Sequence, residues 1–167
     1  MWRQISDKLR DYPGRLKVAR SLVELGLSVR EDAKICCGGI ELSDVKIARY
    51  LQVDRRTVRE TAELICSDAA LKSVFEKTRP AGPFLGDIAR FLGYSVIEIY
   101  ADPHTVGIIA QAAALVSQEN IAIRQAVADD PDLTPEPKLT LVVEKQPSGT
   151  ILQKMLKIPG IVKISTY

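Results

Sequence analysis

The hydrophobic pattern of this chain changes period at Tyr94, and that change limits the fold more than any single motif. Before it, apolar residues recur at helical spacing: Trp2, Ile5 and Leu9, then Leu16, Ala19, Leu22 and Val23 in a run that ends at Gly26. After it, residues 95–101 are β-branched and aromatic and predict a strand. Residues 106–117 predict an alanine-rich helix. In 121–128, Ile121, Ile123 and Val127 are expected on one face of a strand, with polar Gln125 as the exception. An acidic loop with three prolines fills 129–137, and Leu139, Leu141 and Val143 alternate in the next strand. Ser148 can cap a helix carrying Ile151, Leu152, Met155 and Leu156, which Pro159-Gly160 stops before a last strand over 161–167.

The second part therefore runs β-α-β-β-α-β in about 73 residues, the split βαβ or ferredoxin-like unit. The first part is expected to be all helical. Further helices are expected over 43–51, 55–65 and 68–77, with only an irregular stretch through Cys36-Cys37-Gly38-Gly39. Arg79-Pro80-Ala81-Gly82-Pro83 is a stiff breaker. Residues 85–92 read as one more short helix, closed by Gly93, that packs or links. The expected fold class is α+β, with an all-α module over 1–93 and a ferredoxin-like domain over 94–167.

Charge divides along the same line. Residues 1–93 hold 17 Lys/Arg against 13 Asp/Glu, and residues 94–167 hold 6 against 8. Eleven of the twelve arginines lie in the first part, which points to two modules with different partners, the first a polyanion. The longest apolar stretch, 108–116, is about half of the ~20 residues a bilayer needs, so no membrane partner is expected. The charged N-terminus and three cysteines without an even framework lead us to expect cytoplasmic residence.

Residues 43–65 read Ser-Asp-Val-Lys-Ile-Ala-Arg-Tyr-Leu-Gln-Val-Asp-Arg-Arg-Thr-Val-Arg-Glu-Thr-Ala-Glu-Leu-Ile. This segment resembles the helix-turn-helix of bacterial and archaeal transcription regulators. Ala48 takes the small position where two helices approach, Val53 is the apolar turn residue and Val58 the buried residue of the second helix. Gln52 stands where that family most often has glycine. Asp54 predicts an N-cap, and Arg55, Arg56 and Arg59 fall opposite the apolar stripe of Val58, Ala62 and Ile65. Cations in a first helical turn oppose the helix dipole at ~0.3–1 kcal/mol. They make sense where that helix end meets phosphates and base edges. DNA contact is thus expected from Lys46, Arg49, Arg55, Arg56, Thr57 and Arg59. The alternative is a solvated face braced by Arg56–Glu60 and Arg59–Glu63 pairs.

The βαββαβ pattern with a glycine opening its first helix resembles the ACT domain, a sensor module that usually binds amino acids. Asp102 and Gly107 correspond to the acidic and glycine positions of its first loop, here lengthened through Pro103-His104-Thr105-Val106. Residues 119–123 match its turn into the second strand, with Asn120 replacing a glycine. An N-terminal helix-turn-helix joined to a C-terminal ACT domain is similar to a group of archaeal regulators of amino acid metabolism. That resemblance implies a homodimer, a two-fold operator and an amino acid effector. Helix N-terminal amides at Val106, Gly107 and Ile108 can hold a carboxylate. Asp102, His104, Thr105 and Asn120 complete the expected ligand-binding set.

Chemistry beyond binding is not expected. Cys36, Cys37, Cys66 and His104 lack zinc-ligand spacing, His104 has no partner for a triad, and no phosphate loop or dinucleotide fingerprint occurs. No cofactor and no catalysis are expected. A regulatory subunit docking on a metabolic enzyme and an RNA-binding adaptor are the rival readings.

Overall fold

A computed structural model describes residues 2–167 and divides the chain into two compact units, Met1–Gly82 and Pro83–Tyr167. In the first, five helices, α1 (Trp2–Leu9), α2 (Pro13–Glu24), α3 (Asp44–Leu51), α4 (Arg55–Ser67) and α5 (Ala69–Phe75), surround a core that includes Trp2, Leu9, Leu22, Val58, Ile65 and Phe75. Helix α4 packs on α2, α3 and α5, burying Val58, Thr61, Ala62 and Ile65. Complete burial of a Val or Ile side chain stabilises by about 1.5–3 kcal/mol, so this stripe fixes which side of α4 faces solvent.

Local signals set the helix ends. The Asp54 carboxylate accepts the Arg56 amide at 2.7 Å, as an N-cap should. Gln52 ends α3 with φ +53°, in the left-handed region. Glycine enters that region without a Cβ penalty, which is why glycine is common at a helix C-terminus and why Gln52 is tolerated there at a cost of about 1–2 kcal/mol.

The first module is not all helical. A three-stranded antiparallel sheet joins β1 (Ser28–Val29), β2 (Ile35–Cys37) and β3 (Ile40–Glu41), in that order. Cys37 pairs with Ile40 around a turn in which Gly38 takes φ +59°, and Ile35 and Cys36 are buried. Strands of two or three residues carry too little alternation to declare a period, so the segment reads as irregular in sequence.

The second unit contains β4 (Ser95–Ala101), α6 (Ile108–Gln118), β5 (Ile123–Ala128), β6 (Lys138–Val143), α7 (Gly149–Leu156) and β7 (Ile161–Thr166). Its strands order β5-β6-β4-β7 with every neighbour antiparallel, the ferredoxin-like arrangement. Ile97, Ile99, Leu141 and Val143 meet Ala112, Val116, Ile151 and Met155 between sheet and helices. A 3-10 helix, Gly86–Leu92, precedes β4 and seats Ala89 on Val96 and Val142 across the opposite sheet face. Residues 83–93 thus group with the sheet, and the division falls at Gly82/Pro83 rather than after Gly93.

One expected face is overturned. Ile123 pairs with Val143, but Gln125 pairs with Val142, so the ladder carries a bulge at Arg124. Directly opposed residues share a face. Ile123 therefore lies with Val143 on the helix side, whereas Gln125 and Val127 turn to the other. Gln125 is no polar exception in an apolar stripe: its side chain donates to the Pro83 carbonyl (2.9 Å) and accepts the Leu85 amide (2.8 Å).

On that same sheet face Glu98 is buried, accepting hydrogen bonds from the Tyr100 and Tyr167 hydroxyls (3.2 Å each) and pairing with Lys138. The hydrogen bond from Lys138 is the main cause that holds the Glu98 carboxyl below the usual range.

Candidate functional site

The loop after β4 is built around Asp102. Its carboxylate accepts the His104 amide at 3.0 Å and the Thr105 hydroxyl at 3.4 Å, while its own amide donates to the Gly160 carbonyl at 2.9 Å. Such a side-chain-to-backbone turn fixes the loop without regular structure. Gly107 then opens α6 at φ +90°, and no side chain caps the helix. The first-turn amides of a helix have no partner within it, so this end of α6 is a ready acceptor of negative charge.

Asp102, Thr105 and Gly107 belong to one wall of a cavity of about 480 Å³, within the size range of small-molecule sites. Ile99, Ala101 and Leu139 belong to the sheet wall, and Ala128, Asp129 and Pro137 supply the side facing the loop. Its lining is mostly apolar. Of the seven expected ligand residues, Asp102, Thr105, Gly107 and Ile108 line it. The other three do not. Val106 is 92% exposed and His104 is exposed, both on the outside of the loop. Asn120 sits beyond the opposite end of α6, where φ +53° lets it terminate the helix, its amide bonded to the Ser117 carbonyl at 3.0 Å.

The wall formed by the end of β5 and the β5–β6 connection was not legible from the sequence. Its only signal is the density of prolines and acids over 129–137, which reads equally well as a solvated hairpin.

In the first unit, Arg55, Arg56 and Arg59 are exposed at the start of α4, and Lys46 and Arg49 are exposed on α3. Arg59 pairs with Glu63 at 3.0 Å and Arg56 approaches Glu60 at 4.0 Å. Glu60 is also held by Arg15 at 2.8 Å. Exposed i,i+4 pairs contribute about 0.3–0.5 kcal/mol and are easily exchanged for stronger anions. Thr57 does not join this surface. It is half-buried, its carbonyl accepts the Thr61 hydroxyl at 2.6 Å, and its methyl would lie 3.1 Å from a Cβ added at Gly14 of α2. Beside α3, Lys46 also borders an apolar hollow of about 200 Å³ lined by Leu25, Ile47 and the 72% exposed Tyr50.

No family model matches the chain, and no curated protein does. Among solved structures it is similar to the ACT domain from GTP pyrophosphokinase of Chlorobium tepidum, with 18% identity and a TM-score of 0.36 over 44% of this chain and 96% of that one. No helix among the described residues is long and apolar enough to cross a membrane.

Proposed function

We propose that this protein is a ligand-responsive transcriptional regulator of the archaeal type that joins a helix-turn-helix to an ACT domain, acting by binding and not by catalysis. One observation carries the DNA side of this reading. Arg55, Arg56 and Arg59 stand exposed around a helix N-terminus capped by Asp54, and no acid occupies the first turn of α4. Stability alone favours acids in that place. A phosphate backbone and guanine edges reward arginines there. The sensing side rests on the 480 Å³ cavity beside the α6 N-terminus. The cavity suits an amino acid, its carboxylate at the α6 amides and its side chain among Ile99, Ala128 and Leu139. As a homodimer the protein presents two copies of α4 to half-sites ~34–36 Å apart.

The test is DNA affinity at low salt, measured with and without each free amino acid, beside sedimentation of the same samples. Specific binding that one amino acid shifts about 5–150-fold by a dimer supports the reading. Absence of DNA binding by the folded protein removes it.

A second reading has its own observation. Phe91 is 91% exposed, with Ile88 and Leu92 exposed beside it on the 3-10 helix. An apolar strip of that kind favours a protein partner, as a regulatory subunit docking on an enzyme requires. Co-purification of an enzyme with wild type but not with Phe91→Ser separates it from the first.

A further inference from the structure

On the outer side of the second unit, α6 and α7 leave a groove of about 410 Å³ that the sensing cavity does not include. Gln111, Ala114, Leu115 and Gln118 recur at i, i+3, i+4 and i+7 and form one wall from a single face of α6. Lys154 and Lys157, three residues apart at the end of α7, form the other. Among the described residues, those lysines are the only ionisable ones lining it. Neither ammonium has a side-chain partner among the described residues. The acid whose charge bears on Lys154, Glu119, has its two oxygens on the Ser148 amide and hydroxyl instead.

Two lysines one helical turn apart repel each other. Their place at the α7 C-terminus satisfies the helix dipole, which accounts for lysine there. Across the groove the facing helix presents two exposed carboxamides, Gln111 and Gln118, and between them the small Ala114 leaves the groove open. Two exposed cations without a side-chain hydrogen-bond partner among the described residues, two exposed amide groups and an apolar floor at Leu115 are the complement of a compact anion with a short carbon or phosphate backbone.

We propose that the α6–α7 groove is a second small-molecule site, which binds a dianion between Lys154 and Lys157 on one side and Gln111 on the other. Its chemistry is two negative charges held a few ångströms apart, whether from a phosphoryl group or from two carboxylates. The site is distinct from the amino acid cavity, because none of these residues lines that cavity, although the Gln111 amide reaches Gly107 at its edge.

The experiment is calorimetric titration of the full-length protein with pyrophosphate and, separately, with glutarate, both at low ionic strength. Wild type is expected to bind at least one of them, and which one identifies the source of the two charges. Lys154→Gln and Lys157→Gln, both at exposed positions, should each weaken binding about tenfold. Ala114→Phe, which fills the groove and keeps the charge, should abolish it, while Lys145→Gln, outside the groove, should leave it unchanged. Folding of each variant is checked by circular dichroism. No heat with either anion up to millimolar concentration overturns the proposal, as does equal affinity in wild type, the double lysine variant and Ala114→Phe.

Discussion

Thr105 and Gly160 touch so closely that a Cβ added at Gly160 would lie 2.5 Å from the Thr105 hydroxyl oxygen. The loop that bears the sensing residues is therefore clamped to the turn after α7, and Gly160 takes φ +88°, which L side chains rarely adopt. Gly160→Ala combines steric overlap with backbone strain and should cost about 1–3 kcal/mol. Urea denaturation measures it directly. Thr105→Ala should recover part of that loss in the double variant, because it removes both the hydroxyl at 2.5 Å and the methyl at 2.8 Å from the added Cβ.

Gly107 behaves differently. A Cβ there meets only the Gln111 amide nitrogen at an ordinary 3.4 Å, so room is not the reason for glycine. The reason is φ +90° at the start of α6. Gly107→Ala should cost about 1 kcal/mol of stability. If the α6 amides hold the effector, the variant also loses the ligand response while its DNA affinity without effector stays near wild type. Operator affinity with and without effector, for both proteins, decides the point.

Glu98 makes stability depend on acid. Its carboxyl is held below its usual value by the hydrogen bond from Lys138, with smaller contributions from Tyr100 and Tyr167. A carboxyl depressed in the folded state contributes stability that is complete above the unfolded value of about 4.3 and lost as pH falls through the folded value. Glu98→Gln should lower stability by about 1–3 kcal/mol at neutral pH and flatten the acid limb of the profile. Denaturant midpoints collected from neutral pH to about pH 3 give both effects. An unchanged acid limb would assign the acid sensitivity to other carboxylates.

The α4 arginines give opposite expectations for cations and acids. Replacing Arg55, Arg56 or Arg59 by Ala should weaken specific DNA binding by ~1–3 kcal/mol where the residue reads a base. Where it meets only phosphate, the salt slope should fall by about one. Glu63→Gln frees Arg59 from its 3.0 Å partner and should raise affinity a few-fold at low salt. Fluorescence anisotropy on a short duplex across a salt series distinguishes these outcomes.

What the sequence displays and what it hides follow from length and phase. Helices long enough to repeat an apolar stripe, such as α4 with Val58, Ala62 and Ile65, are plain in it, and so are β4 and the βαββαβ order. The sheet of β1, β2 and β3 is hidden because two or three residues cannot show alternation. Half of the cavity is visible as a glycine-opened loop after a strand. Its other half, from Ala128 to Pro137, is not, because residues far apart in sequence form a wall only once β5 and β6 are paired. Asn120 shows the limit of resemblance by position: its backbone conformation closes a helix, at the end away from the cavity.

The bulge at Arg124 reaches beyond the strand that contains it. One additional residue turns the rest of β5 over, so that Ala128, opposite Leu139, and not Val127 stands at the cavity wall. The bore of the cavity is thus set by counting and not by the choice of a smaller side chain. Closing the bulge with Arg124 kept in the ladder would bring Val127 opposite Leu139, exchanging alanine for valine at the wall, and would carry Gln125 off its Pro83 and Leu85 partners in the same stroke. The register of β5, and not only the side chains it carries, therefore sets the size of molecule the cavity admits.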